Sequence, residues 1–132
     1  MIPGLPEPLS SAARFALERK ARDVLVMDLR EISSATDFFL LATGNSDIQV
    51  RAIADHVLEQ LRLEGHRPNH VEGLQGGRWV LLDFVDYVIH VFHPAARDFY
   101  QLERLWGDAM IQRFGDDEPP RETGKADDSD DG

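Results

Sequence analysis

Apolar and polar positions change their spacing several times along the chain, and each change marks an element. Leu9, Ala13, Ala16, Leu17 and Ala21 recur at the interval of one helical face. Ser10 or Ser11 stands where the cap of that helix is expected. Residues 23–29 hold Val24, Leu25, Val26, Met27 and Leu29, and apolar groups on both sides predict a strand covered on both faces. Residues 31–37 are polar and turn-like, and residues 38–42 form a second such strand. Gly44, Asn45 and Ser46 punctuate the next change, and Ser46 with Gln49 matches a capping box. Val50, Ile53, Ala54, Val57, Leu58 and Leu61 then give a helix with one apolar face, which Gly65 can end in a left-handed cap.

Residues 67–72 form a weak strand, and Pro68 argues for an edge position. Residues 73–77 are a glycine-rich turn. Residues 79–84 and 87–92 are strong strands, and the short Val85-Asp86 link predicts an antiparallel hairpin. Pro94 opens a last helix, continued by Phe99, Leu102, Leu105, Trp106 and Met110. The order α, β, β, α, β, β, β, α predicts a single α/β (α+β) domain: a mixed sheet of about five strands flanked by helices. Pro3, Pro6 and Pro8 make residues 1–8 a flexible lead-in. Residues 9–114 form the domain, and residues 115–132, rich in acids, Pro and Gly, are expected to be a disordered tail.

Composition narrows the function classes. At 42% hydrophobic and 29% charged, the 132 residues are ordinary for a globular domain. The absence of cysteine excludes disulfide frameworks, cysteine zinc sites and thiol nucleophiles. No apolar run reaches the roughly 18 residues of a membrane span. No secretory or transit-like pattern opens the chain, so a cytoplasmic, bacterial protein is expected. Net charge is −10. The tail from Gly115 carries eight acids and two bases, a net −6, which leaves −4 for residues 1–114. Direct nucleic-acid binding is disfavoured without clustered cations, whereas a basic protein partner fits.

Four candidate chemistries follow. Thr43-Gly44-Asn45-Ser46 lies between a strand and a helix, where free amides can hold a phosphate, but no Walker or dinucleotide fingerprint accompanies it. Asp83 and Asp86 could hold a metal, yet residues three apart on a strand point to opposite faces. Asp86 is better suited to shaping the hairpin turn. His56, His66, His70, His90 and His93 lack metal-site spacing, and no G-x-S-x-G elbow marks a serine nucleophile. The last candidate is the aromatic set of the C-terminal strands and helix. Trp79, Leu81 and Asp83 share one strand face, and Val88, His90 and Phe92 share one face of the next. Phe99, Tyr100, Leu102, Leu105 and Trp106 wrap most of the way round the following helix, a pattern of deep burial or of a partner. Residue patterns alone leave core and interface equally open.

Three blocks carry a family resemblance. They are Ala35-Thr36-Asp37-Phe38-Phe39-Leu40-Leu41-Ala42-Thr43-Gly44-Asn45-Ser46 with Ala52-Ile53-Ala54-Asp55; Val71-Glu72-Gly73, Trp79-Val80-Leu81-Leu82-Asp83 and Asp86-Tyr87-Val88-Ile89-His90-Val91-Phe92; and Phe99-Tyr100-Gln101-Leu102-Glu103-Arg104-Leu105-Trp106. In this order, over roughly residues 10 to 110, the chain resembles the ribosomal silencing factors, with their Iojap-like organellar relatives. The resemblance implies a nucleotidyltransferase-like fold without catalytic activity, cofactor or metal. It implies binding to ribosomal protein uL14 on the large subunit, a block on small-subunit joining, and repressed translation when nutrients are scarce. The contacts it implies are Trp79, Asp83, Asp86, His90, Phe92, Tyr100, Leu102 and Trp106. A spare apolar face would also permit a homodimer of the free protein. The alternative is a nucleotide-binding enzyme on the same fold, using Gly44 to Ser46. One departure stands out: the family commonly has Gly where this chain has Val85. A β-branched residue resists positive φ, so the turn is expected to differ locally.

Overall fold

The computed structural model describes residues 2–100, 107 and 109–115, with backbone only for 98–100. The elements run α1 (Glu7–Glu18), β1 (Arg22–Asp28), β2 (Phe38–Thr43), α2 (Asp47–Leu63), β3 (His70–Glu72), β4 (Trp79–Asp83), β5 (Tyr87–Phe92), α3 (Pro94–Tyr100) and β6 (Met110–Phe114). The strands form one mixed sheet in the order β3-β4-β5-β2-β1-β6. β2 and β5 pair in parallel, from Phe38 opposite Tyr87 to Thr43 opposite Phe92. The other described pairs are antiparallel.

Strand alternation sorts side chains onto two faces. On the first, Val24, Val26, Leu40, Ala42, Val80, Leu82, Ile89 and Val91 meet Leu9, Ala12 and Ala16 of α1 and Val50, Ile53, Val57 and Leu61 of α2. None of these is more than 1% exposed. On the second face Leu25, Met27, Leu29, Leu41 and Phe92 pack with Ala96 of α3, and Phe39, Trp79 and Ala109 close around them. This two-sided burial is why β1 and β2 read as continuous apolar runs.

Local signals place α2 as expected. The Ser46 hydroxyl accepts from the Gln49 amide at 3.1 Å. The reciprocal arm reaches one residue further back than in the usual box, Gln49 Oε1 accepting from Asn45 N–H at 2.6 Å. At the other end Gly65 takes φ +92°, and the amides of Gly65 and His66 donate to the carbonyls of Arg62 and Leu61. That double bond pattern closes the helix.

Three expectations change. First, α1 begins at Glu7, so Ser10 and Ser11 lie inside it and Ser11 is buried. Pro6 holds the cap position and Pro8 the first turn, where a missing N–H costs nothing. Residues 1–8 also contribute Ile2 to the core: it is 2% exposed, and its N–H donates to Gln112 Oε1 at 2.8 Å.

Second, the sheet has six strands among the described residues, where about five were expected. Met110, expected to continue the last helix, instead opens β6, which runs antiparallel to β1 from Met110 opposite Asp28 to Phe114 opposite Val24. The outer amides and carbonyls of β1 need partners, and that demand outweighs the helical spacing of one methionine.

Third, Val85 does adopt positive φ, +74°. Asp86 N–H donates to Phe84 C=O at 2.9 Å, so Val85 sits at the centre of a strained γ-turn. The side chain that shapes this turn is Asp83, not Asp86: Asp83 Oδ1 accepts the Val85 N–H at 2.8 Å. The outer frame is fixed by Thr36 Oγ1 donating to Val85 C=O at 3.0 Å and by Asp37 N–H donating to Asp86 C=O at 3.0 Å. The expected helix through Leu102 and Trp106, and the tail from 116, lie outside the described residues.

Candidate docking surface

The second face changes character from one end of the sheet to the other. At the α3 end it is closed. The buried Arg97 guanidinium donates through Nη1 to Thr43 Oγ1 at 2.7 Å and to Asp23 C=O at 2.9 Å, tying α3 onto the strand ends. Towards the β4–β5 hairpin the face opens. Trp79, Leu81 and Asp83 of β4, Val88 of β5 and Phe39 of β2 are all only partly buried. Cross-strand register makes them one patch, with Leu81 opposite His90, Asp83 opposite Val88, and Val88 beside Phe39. β3 adds His70 and Glu72, joined at 2.6 Å, at the rim. Gly73 at φ +80° lets the chain pass so close to Trp79 that a Cβ there would lie 2.0 Å from the Trp79 carbonyl oxygen. Glycine is therefore what allows the 73–77 turn to deliver Trp79 to the start of β4.

His90 is the hinge between the closed and open ends. It is 4% exposed, stacked against Phe92 at 5.8 Å and edge-on to Phe39 at 4.6 Å. Trp79 Nε1–H donates to His90 Nδ1 at 3.0 Å. An indole N–H can only donate, so Nδ1 is unprotonated and the neutral ring carries its proton on Nε2. Nε2 has no hydrogen-bond partner among the described residues. Burial pushes the His90 pKa down to about 4, and protonating Nδ1 would also break the Trp79 bond. Next to the turn, burial and then the neighbouring Asp86 carboxylate push the Tyr87 phenol up to about 12.

Of the eight implied contact residues, four come together here: Trp79, Asp83, His90 and Phe92 share the second face. Asp86 lies exposed at the hairpin tip beyond its edge. Tyr100 ends α3, with only its backbone described, and Leu102 and Trp106 lie outside the described residues. Phe39, Leu81 and Val88 join the patch although the aromatic pattern did not select them. For Leu81 and Val88 a signal was available as strand parity with Asp83 and His90, whereas Phe39 joins through the β2–β5 register.

The competing sites fare differently. At the β2–α2 turn the amides of Gly44, Asn45, Ile48 and Gln49 donate to Phe92 C=O, Gln49 Oε1, Asp47 Oδ1 and Ser46 Oγ. A phosphate there would have to displace bonds that hold the helix cap. A Cβ on the buried Gly44 would touch Val50 at 3.0 Å, so this glycine answers a packing need. No cluster of three metal-ligating side chains occurs among the described residues, and none of their helices is long and apolar enough to cross a membrane.

Known proteins match this arrangement along nearly the whole chain. The family model described as "Ribosomal silencing factor during starvation" matches residues 3–131. The Bacillus subtilis protein named ribosomal silencing factor RsfS is 45% identical over 103 residues, covering 78% of this chain and 87% of that one. A crystal structure of a Bacillus halodurans protein superposes with a TM-score of 0.69 at 40% identity, covering 76% of this chain and 93% of that one. One of a Chromobacterium violaceum protein gives 0.72 at 33% identity, covering 86% and 96%. The chain belongs to the ribosomal silencing factor family.

Proposed function

We propose that this protein is a translation repressor with no chemistry of its own. It docks on the large ribosomal subunit through ribosomal protein uL14 and blocks joining of the small subunit when nutrients are scarce. The observation that carries this reading is the open end of the second sheet face. Trp79, Leu81, Val88 and Phe39 form an apolar centre there, and Glu72, Asp83 and Asp86 give it an acidic rim. An apolar centre supplies affinity, and a charged rim supplies orientation and rate towards a basic protein. Tyr100, Leu102 and Trp106, just beyond the same face in sequence, are residues of the type that dominate interface energies. The same face pairs two copies in the free protein, and the cytoplasm is where the chain meets its subunit.

Co-sedimentation with purified large subunits at moderate salt tests the reading, followed by a subunit-joining assay. Binding with slowed joining is expected, and a pull-down on isolated uL14 should recover the partner. Failure to bind large subunits would overturn it. Calorimetry with nucleoside triphosphates and Mg²⁺ should give no heat of binding, since the amides of Gly44, Asn45, Ile48 and Gln49 are already engaged. Tight binding there would replace this reading with the enzyme alternative.

A further inference from the structure

Four cations gather where β6 leaves the sheet. Arg14 on α1 and Arg19, Lys20 and Arg22 at the α1–β1 junction are all exposed. None of them is in an ion pair among the described residues. The neighbouring Glu18 is committed to His56 at 2.7 Å. The last register pair of β6 sets Phe114 opposite Val24, so the chain is heading back along β1 towards Arg22. Gly115 lies over Leu17, so closely that a Cβ would come 2.6 Å from a Leu17 methyl. Arg14 and Lys20 lie three residues either side of Leu17, and Arg14 shares its helical ridge. The next residues are Asp116, Asp117 and Glu118, and the remaining tail brings the net charge of residues 116–132 to −6. At roughly 3.5 Å per residue the first acids are within reach of these cations without a long excursion.

We infer that the acidic tail docks back on the Arg14, Arg19, Lys20 and Arg22 patch of its own chain and screens it from other polyanions. Each exposed pair is weak, but a short tether sets the local concentration on the order of millimolar, so several weak pairs act together. The tail thereby offers carboxylates where a phosphate backbone would otherwise sit.

The test uses the full chain. The sequence has no cysteine, so Thr123→Cys gives a single site for a nitroxide label. At low salt the amide signals of Arg14 and of Arg19 to Arg22 should lose most of their intensity. They should recover at about 1 M salt, where the screening length falls to about 3 Å. Combining Arg14→Glu, Arg19→Glu and Arg22→Glu should restore them at low salt, with spectral dispersion reporting that the fold is intact. Asp116→Asn, Asp117→Asn and Glu118→Gln together should raise affinity for a short RNA duplex about tenfold. Quenching that is absent, that falls on the second sheet face, or that survives charge reversal overturns the inference. So does unchanged RNA affinity after tail neutralisation. If the unmodified chain shows no quenching and binds the duplex through these arginines, the patch is a nucleic-acid site instead.

Discussion

The two faces of the sheet are made by the same strands, one residue out of phase, and they follow different rules. The helix-covered face is mostly aliphatic and closed across its central strands. Val24, Leu40, Leu82 and Ile89 have no exposed surface to speak of, and its polar strand residues, Asp28, Tyr87 and Gln112, sit towards its margins. The other face is graded. It is sealed under α3 by Phe92 and the buried Arg97, passes through the Trp79–His90 hydrogen bond, and ends in half-open Leu81, Asp83 and Val88. The difference teaches how one thin domain separates stability from recognition. Close packing on one side lets the other keep polar groups, a ring nitrogen with no partner among the described residues, and exposed apolar area.

The comparison can be broken at four points. The largest effect belongs to the closed face. Leu40→Ala should remove about 3–4 kcal/mol of unfolding free energy in urea titration, through lost burial and a cavity. The folded fraction should still bind large subunits with unchanged affinity. Lost affinity in that fraction would mean the faces are coupled.

Next comes the pH response of the graded face. The folded pKa of His90 is about 4, below its unfolded value near 6.5, so the unfolded chain binds more protons between those values. Stability from neutral His90 is therefore full above about pH 6.5 and is lost as pH falls towards 4, by at most about 3 kcal/mol. His90→Gln keeps an acceptor for Trp79 and should flatten that slope, read as the difference between two pH series of urea midpoints. Parallel series would remove His90 from the account.

Docking should give the third effect. Val88→Lys places a cation in the apolar centre facing a basic partner. It should weaken large-subunit binding by about 2 kcal/mol while changing stability by roughly 1 kcal/mol or less. Full affinity would move the interface off this face. The smallest effect is at the turn. Val85→Gly should raise stability by about 1 kcal/mol, because relief of positive φ exceeds the extra entropy of an unfolded glycine. A loss of stability would mean that the half-exposed valine side chain contributes more than its backbone strain costs.

How far the sequence reveals this depends on the range of the interactions. The hairpin of β4 and β5, the capped α2 and the edge strand after Pro68 follow from residues within a few positions of one another, and each was legible. β6 was not. Met110 fits both the helical spacing of Leu102, Leu105 and Trp106 and a strand, and what decides is β1, some eighty residues earlier. Gly107, which lies in a turn, was the local sign of the break. Within the site, Trp79, Asp83, His90 and Phe92 were legible by type and parity. Leu81 and Val88 were not selected, because a partly open aliphatic residue on a strand has the same letter as a buried one, and Phe39 joins them only through the β2–β5 pairing. Val85 reversed its expectation because three bonds, from Asp83, Thr36 and Asp86, fix the turn whatever residue occupies it.

The parallel seam between β2 and β5 has a consequence for assembly of the chain. β1 with β2, and β4 with β5, are neighbours in sequence and can pair early, each as a small unit. The seam joins Phe38 to Tyr87 and Thr43 to Phe92, so it can close only after the whole stretch through α2 and β3 has been made and gathered. Loop closure of that length comes before any reward from the seam. The proposed docking face straddles this seam, with Phe39 on one side and Val88 and His90 on the other. The surface that would silence a ribosome is therefore completed late in the folding of the protein, after both half-sheets exist.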